Sequence, residues 1–122
     1  MGWNQMQRLQ NPRTGIDQGD VVLFSEFEEG GDMWTGEGPR ERRKTIHFKE
    51  AYSQPPAVHV SISLWDMSTD AAIRAELVAE RITEAGFDLV FRTWGDSRVA
   101  RLRAAWMSVG ELPFDDDWDD VD

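Results

Sequence analysis

Apolar and polar residues alternate over residues 58–64, and this pattern constrains the fold of the chain more than any other feature. Successive side chains of a β-strand point to opposite faces, so a period of two places one set in a core and the other in solvent. The apolar set is Val58, Val60, Ile62 and Leu64. The segment is therefore predicted to be a half-buried strand with one buried face.

Four other segments, rich in β-branched and aromatic residues, are also predicted to be strands: 21–27, 45–48, 87–92 and 99–106. The glycine-rich stretch 28–39 is predicted to be a loop, and residues 94–96 a turn. Phe87, Leu89 and Phe91 share one face and should pack across the core from the 58–64 strand, with Trp106 closing it.

Residues 70–82 fit two structures. Asp70 could cap a helix rich in Ala, Glu and Arg that ends before Gly86, and propensity alone favours this helix. The residues from Ile73 to Ala79 also alternate as in a strand, and tertiary contacts often override propensity.

The net charge argues against nucleic acid and membrane as partners, and the lack of cysteine excludes chemistry that needs a thiol. The chain has 23 Asp plus Glu against 13 Lys plus Arg, a formal net charge of -10, which repels phosphate backbones and anionic lipid headgroups. We therefore expect neither nucleic acid binding nor membrane insertion. Without cysteine there is no disulfide framework, thiolate metal site or thiol nucleophile.

The acidity is concentrated at the carboxyl end, where 7 of the 23 acidic residues lie between Glu111 and Asp122. This predicts one domain over residues 1–110 and a solvated acidic tail over 111–122. The tail also contains the apolar residues Phe114 and Trp118. Because such residues in an acidic tail often mark a short binding segment, this alternative stays open. The opening residues lack the pattern of a signal peptide, so we expect synthesis in the cytoplasm and release without the general secretory route.

No motif requires an enzyme. The nucleophile elbow, phosphate-binding loop and zinc-protease patterns are absent from the sequence. Glu26, Glu28 and Glu29 could supply two glycosidase carboxylates, but such clusters are usually solvated strand edges. His47 and His59 are expected to make ordinary hydrogen bonds rather than to bind a metal, and we predict neither a metal nor another cofactor.

Several residues suit recognition of a neutral polar ligand. Sugars are bound by hydrogen bonds from carboxylates, guanidinium groups and amides, with an aromatic ring beneath the apolar face of the ring. Trp94 lies beside Asp96, and Trp34 lies in the glycine-rich loop with Asp32 and Glu37.

A further set of motifs occurs in one order along residues 8–110: 15–17 (Gly-Ile-Asp), 33–36 (Met-Trp-Thr-Gly), 56–63 with Asp66, Arg74, 86–87 (Gly-Phe), 93–94 (Thr-Trp) and Trp106. In this order the chain resembles the H-type lectin domain of invertebrate agglutinins and of the carboxyl-terminal half of discoidins. The resemblance implies an antiparallel β-sandwich of about six strands that forms trimers or hexamers, and it favours a strand over 71–83.

The resemblance also implies a function and a site. The family binds galactose-type sugars, often N-acetylgalactosamine, and its sugar-binding arginine and aromatic correspond to Arg74 and Trp94. Its loop acid corresponds to Glu37, with Asp32 as the competitor, and Asp96 could add an acceptor. These residues are expected to converge on one shallow pocket where two protomers meet.

The chain departs from the agglutinins at two positions. Gly95 stands where they have a histidine, and Ala100 stands where they have an aromatic residue. The choice of sugar is therefore left open. A second function is also left open. In it, the same trimer is a structural adaptor or spike of a cell-surface or phage-like particle and binds a scaffold protein. A glycan-active enzyme is a third alternative.

Overall fold

The computed structural model describes residues 2, 4–26, 30–70 and 72–114. In this part of the chain the elements are β1 (Thr14–Ser25), α1 (Asp32–Thr35), β2 (Arg40–His47), β3 (Ala57–Met67), β4 (Ala75–Glu80), β5 (Gly86–Thr93) and β6 (Val99–Glu111). The strands form two antiparallel sheets of three, ordered β1-β6-β3 and β2-β5-β4. The predicted all-β sandwich is confirmed. No helix in the described ranges has the length and apolarity needed to cross a membrane.

The core lies between the two sheets and has two adjoining halves. One half surrounds Phe48 and Phe87, and Trp106 closes it as predicted, with its ring centroid 5.6 Å from that of Phe87 and 6.1 Å from that of Phe48. The other half surrounds Phe24 and Phe91, whose ring centroids are 5.6 Å apart. These large rings add much apolar surface to the core, which stabilises a small sandwich.

Strand β3 confirms the period-two prediction up to Ile62. Val58 and Val60 pack against the first half of the core, and Ile62 packs against the second. The register with β6 then shifts between Ile62 and Leu64, as in a β-bulge. Leu64 therefore pairs with Arg103 and does not join the core, which corrects the prediction of one continuous buried face.

Strand β4 decides between the two structures that fitted residues 70–82. Ala75–Glu80 pair with β5, from Ala75 opposite Thr93 to Glu80 opposite Asp88, so the helix favoured by propensity is wrong. Pairing completes the sheet, and Leu77 and Ala79 pack against the core. The strand is shorter than the 71–83 that the resemblance implied.

The start of β1 and the structure of the glycine-rich loop differ from the sequence-based predictions. β1 begins at Thr14 rather than at Val21, because its polar first half pairs with the end of the long strand β6. Within the predicted loop 28–39, residues Asp32–Thr35 form a single helical turn. His47 and His59 lie in different sheets, on β2 and β3.

The carboxyl end of β6 is joined to the segment before β1. Strand β6 continues to Glu111, whose Oε2 accepts a hydrogen bond from the Asn11 amide at 2.9 Å. The amide of Leu112 donates to the Arg13 carbonyl at 2.9 Å. Residues 115–122, including Trp118, lie outside the described residues, so the boundary at 110 and the role of the acidic tail stay predictions.

Gly86 begins β5 at a position that has no room for a side chain. A Cβ atom there would lie 2.1 Å from the carbonyl oxygen of Ile46, on the paired strand β2. We expect Gly86→Ala to lower the free energy of unfolding by at least about 2 kcal/mol, because the sheet backbone cannot move away. Urea unfolding measures this. Gly2→Ala, where nothing lies within 4 Å, is the control, and equal stability of the two variants would contradict the prediction.

Candidate functional site

The predicted sugar-binding residues lie at one end of the sandwich, where β5 leaves the sheet. Trp94 follows the buried Thr93 and is 42% exposed, and Gly95 makes the turn with a φ of 71°. That φ lies in the left-handed region that glycine adopts without strain. The turn between β5 and β6 thus carries an exposed indole followed by the exposed carboxylate of Asp96.

Arg74 is tied to this turn through its backbone. Its amide donates to Ser97 Oγ at 2.8 Å, and its carbonyl accepts from Thr93 Oγ1. Ser97 Oγ in turn donates to the Ala72 carbonyl at 2.9 Å. The Arg74 side chain lies over the turn, since a Cβ on Gly95 would be 3.4 Å from its Nη1.

The glycine-rich loop reaches the same turn from the other side. The amide of Gly38 donates to the Gly95 carbonyl at 2.8 Å, which brings the adjacent exposed residue Glu37 beside the turn. The structure thus brings the segments that carry Glu37, Arg74, Trp94 and Asp96 to one end of the molecule. Whether these side chains bind a ligand stays a prediction.

Arg40 joins the two loops, and sequence reasoning missed it. Only 7% of the residue is exposed, and its guanidinium donates to four backbone carbonyls. Nε donates to Gly38 at 2.9 Å, Nη1 to Asp32 and Met33 at 3.1 and 3.3 Å, and Nη2 to Gly95 at 3.2 Å. A buried charge satisfied in this way fixes the backbone around it. The charged run at residues 40–43 resembles a solvated strand and gave no signal of this role.

A second arginine, Arg42, forms ion pairs with Glu26 and Asp32, two acidic residues for which the sequence suggested other roles. Its Nε and Nη2 donate to the Glu26 carboxylate at 2.6 and 2.8 Å, and Nη2 also donates to Asp32. Arg42 lowers the pKa of Asp32 through this hydrogen bond. Glu26, the first carboxylate of the glycosidase alternative, is therefore held in an ion pair, whereas Glu28 and Glu29 lie outside the described residues. Asp32, the competitor of Glu37, is held in the same way.

A cleft of about 340 Å³ opens beside Trp94 on the outward face of the β2-β5-β4 sheet. Its lining residues are Pro39, Arg40, Glu41, Glu76, Arg92, Thr93 and Trp94. Of the four predicted site residues, only Trp94 is part of this wall. Glu37, Arg74 and Asp96 are near the turn but do not line this cleft. Their convergence with Trp94 on one shallow pocket between two protomers stays a prediction.

An ion-pair network covers the sheet next to this cleft. Arg92 donates to Glu41 at 2.9 Å, to Glu76 at 3.2 Å and to Glu80 at 2.8 Å. Hydrogen bonds from Arg92 and Arg43 lower the pKa of Glu80. The network holds the side chains of three strands in a defined arrangement. Among the described residues, no three His, Asp or Glu side chains cluster in a way that could hold a metal ion.

Comparison with known proteins decides the family. The profile of the H-type lectin domain matches residues 43–109, more than half of the chain. The chain belongs to the H-type lectin domain family. The solved structure of wild-type discoidin II from Dictyostelium discoideum superposes on this H-type lectin domain with a TM-score of 0.72 and 26% sequence identity, over 88% of this chain and 40% of that chain.

Two relatives show how far the similarity extends. A protein of Fuscovulum blasticum named ATP synthase subunits region ORF 7 is 49% identical over 106 residues, which are 87% of this H-type lectin chain and 92% of that protein. A discoidin-1 chain of Dictyostelium discoideum is 30% identical over 98 residues, 72% of this chain and 38% of that protein. The chain therefore spans about two fifths of the discoidin length.

Removing the Arg40 guanidinium should release the glycine-rich loop from the turn. In Arg40→Met we expect amide hydrogen exchange of Gly38 to become at least about tenfold faster, because the carbonyls around it lose a common donor. Arg42→Met is the matched control, since Arg42 does not contact Gly95. Unchanged protection of Gly38 in Arg40→Met would show that the loops hold each other without this side chain.

The lowered carboxyl pKa values predict loss of stability in acid. Hydrogen bonds from Thr45 and Arg43 lower the pKa of Asp88, as those from Arg92 and Arg43 lower that of Glu80. The unfolded chain therefore binds protons more readily, and stability should fall as the pH drops below about 4.5, the ordinary value for glutamate. Urea midpoints between pH 7 and pH 3 measure the slope. Glu80→Gln should flatten it, whereas Glu84→Gln, outside the network, should not.

Proposed function

We propose that the chain is a carbohydrate-binding module that recognises glycans ending in galactose-type sugars, N-acetylgalactosamine among them. Membership of the H-type lectin domain family supports binding as the function. The observation that supports the position of the sugar-binding site is the exposed indole of Trp94. Hydrogen bonds hold the turn that carries this indole from both sides. No step of the proposal makes or breaks a covalent bond, and none needs a metal or another cofactor.

Each residue has a role that follows from its chemistry. The indole of Trp94 packs against the C–H face of a sugar ring, and the Arg74 guanidinium donates to a hydroxyl or acetamido oxygen. The carboxylates of Glu37 and Asp96 accept from hydroxyl protons. Gly95 adds no side chain where the agglutinins have a histidine, which leaves the site one polar side chain fewer.

We also infer that the module acts as a trimer, with the site near the boundary between protomers. The outward face of the β1-β6-β3 sheet carries exposed apolar side chains, among them Ile16 at 65% and Met107 at 41% exposure. A second copy would cover them. Ile73, exposed next to Arg74, would contact the neighbouring protomer at the site.

Arg101 and Arg103, expected at the trimer contact, have acidic neighbours within their own chain. Arg101 lies 3.9 Å from Asp66, and Arg103 lies 3.5 Å from Asp20, both across the same sheet. A contact between copies would therefore depend mainly on the apolar residues of this face, and the part of the two arginines in it stays a prediction.

A structural adaptor or spike on a cell-surface or phage-like particle is the second candidate. The exposed apolar sheet face supports assembly, and the missing side chain at Gly95 weakens the sugar site. Under either role we propose that the protein acts outside the cell or on a phage-like particle, since a module that binds glycans has to reach them.

A glycan array tests the function directly. We expect the wild type to bind, and Arg74→Ala and Glu37→Ala each to lose about tenfold to a hundredfold in affinity, because a charged hydrogen-bond partner is removed. Melting temperature and mass should stay unchanged. Lys49→Ala and Glu84→Ala, at the opposite end of the sandwich, should bind as the wild type does. A wild type that binds no glycan would favour the adaptor.

Mass in solution tests the assembly. We expect a trimer at micromolar concentration, and Met107→Asp should yield monomers because a buried unpaired charge destabilises a contact. Met6→Asp, at an exposed residue before β1, is the control. The monomer should lose far more apparent affinity for a multivalent glycan surface than for a free monosaccharide. A monomeric wild type would refute the trimer.

A further inference from the structure

The cleft beside Trp94 continues away from the predicted sugar contacts. Along β5 it extends from Trp94 back to Arg92, whereas Gly95 and Asp96 follow Trp94 on the other side. Its volume of about 340 Å³ lies at the lower end of the range for small-molecule sites, ~300–1,000 Å³. A ring stacked on Trp94 near Arg74 would leave this space open for the next part of the same ligand.

The charges in the wall of the cleft are balanced. Arg40 and Arg92 contribute two positive charges, and Glu41 and Glu76 contribute two negative charges. Arg40 is already satisfied by carbonyls, and Arg92 is surrounded by carboxylates. An anionic or cationic ligand would therefore gain little over a neutral one. A ligand rich in hydroxyl groups can donate to the carboxylates and accept from the guanidinium at once.

Glu76 and Glu80 differ in how their carboxylate oxygens are paired. Both lie on β4 and both pair with Arg92. Glu80 uses both of its oxygens, Oε1 for Arg43 and Oε2 for Arg92, and does not line the cleft. Glu76 uses only Oε1, and among the described residues none donates to its Oε2. Glu76 thus presents a free acceptor in the cleft wall, on a side chain that Arg92 already orients.

We propose that this cleft binds the second residue of a neutral oligosaccharide whose terminal sugar stacks on Trp94, with Glu76 as an acceptor for its hydroxyl groups. The inference rests on the proposed carbohydrate-binding function and adds that the module recognises a disaccharide or longer glycan. Arg92 positions Glu41 and Glu76, and the fixed network lowers the ordering cost of binding.

Calorimetry on the whole protein tests the inference, with two probes: the shortest neutral oligosaccharide that the wild type binds on a glycan array, and its free terminal monosaccharide. We expect the oligosaccharide to bind at least about tenfold more tightly than the monosaccharide. Glu76→Gln should reduce this gain, because a neutral amide oxygen is a weaker acceptor than a carboxylate, and should leave monosaccharide binding unchanged. Glu80→Gln, which breaks two ion pairs of the same network outside the cleft, should keep the gain.

The outcomes separate the two proposals. Equal affinity of the wild type for both probes, or equal loss of the gain in Glu76→Gln and Glu80→Gln, would overturn the cleft as a subsite and leave the carbohydrate-binding function intact. Absence of all binding on the array would overturn the function and the subsite together. Melting temperatures of both variants show whether each is folded.

Discussion

Strand β5 is covered on both faces, and the rest of the structure depends on this. Phe87, Leu89 and Phe91 point into the core, while Val90 and Asp88 are buried on the other face between β2 and β4. A central strand covered in this way cannot shift its register, because a slip by one residue would exchange the two sets. Its end therefore presents Trp94 and the following turn at a fixed position.

The candidate site is fixed by backbone contacts more than by its own side chains. Four carbonyls around one buried guanidinium hold the glycine-rich loop against the turn, and the Arg74 segment is held from the opposite side by Ser97 and Thr93. Pre-organised loops lose less entropy when a ligand binds. The exposed residues Glu37 and Asp96 can thus vary in chemistry without loss of the scaffold.

The two outward faces of the sandwich differ in a way that suits two tasks. The β2-β5-β4 face carries an ion-pair network next to a cleft, whereas the β1-β6-β3 face carries exposed apolar residues. Fixed polar groups recognise hydroxyl-bearing ligands, and apolar surface favours association of copies. A trimer formed through the second face would leave the first accessible. The proposed trimer would thus carry three accessible copies of the cleft, besides the sugar contacts proposed near the protomer boundary.

The sequence by itself determined the apolar sides of the central strands, because the period-two patterns at 58–62 and 87–91 depend only on which residues are apolar. The sandwich class was implied by the resemblance to the family, not by these patterns. Family motifs in order, not propensity, identified β4 as a strand. Tertiary structure alone decided the bulge that removes Leu64 from the core, the pairing that begins β1 at Thr14, and the burial of Arg40. These features depend on contacts between residues far apart in the chain: Arg40 resembles a surface residue until the turn at Gly95 folds against it. For the same reason, Trp94 could be singled out from the sequence, but not the cleft of Glu76 and Arg92 beside it.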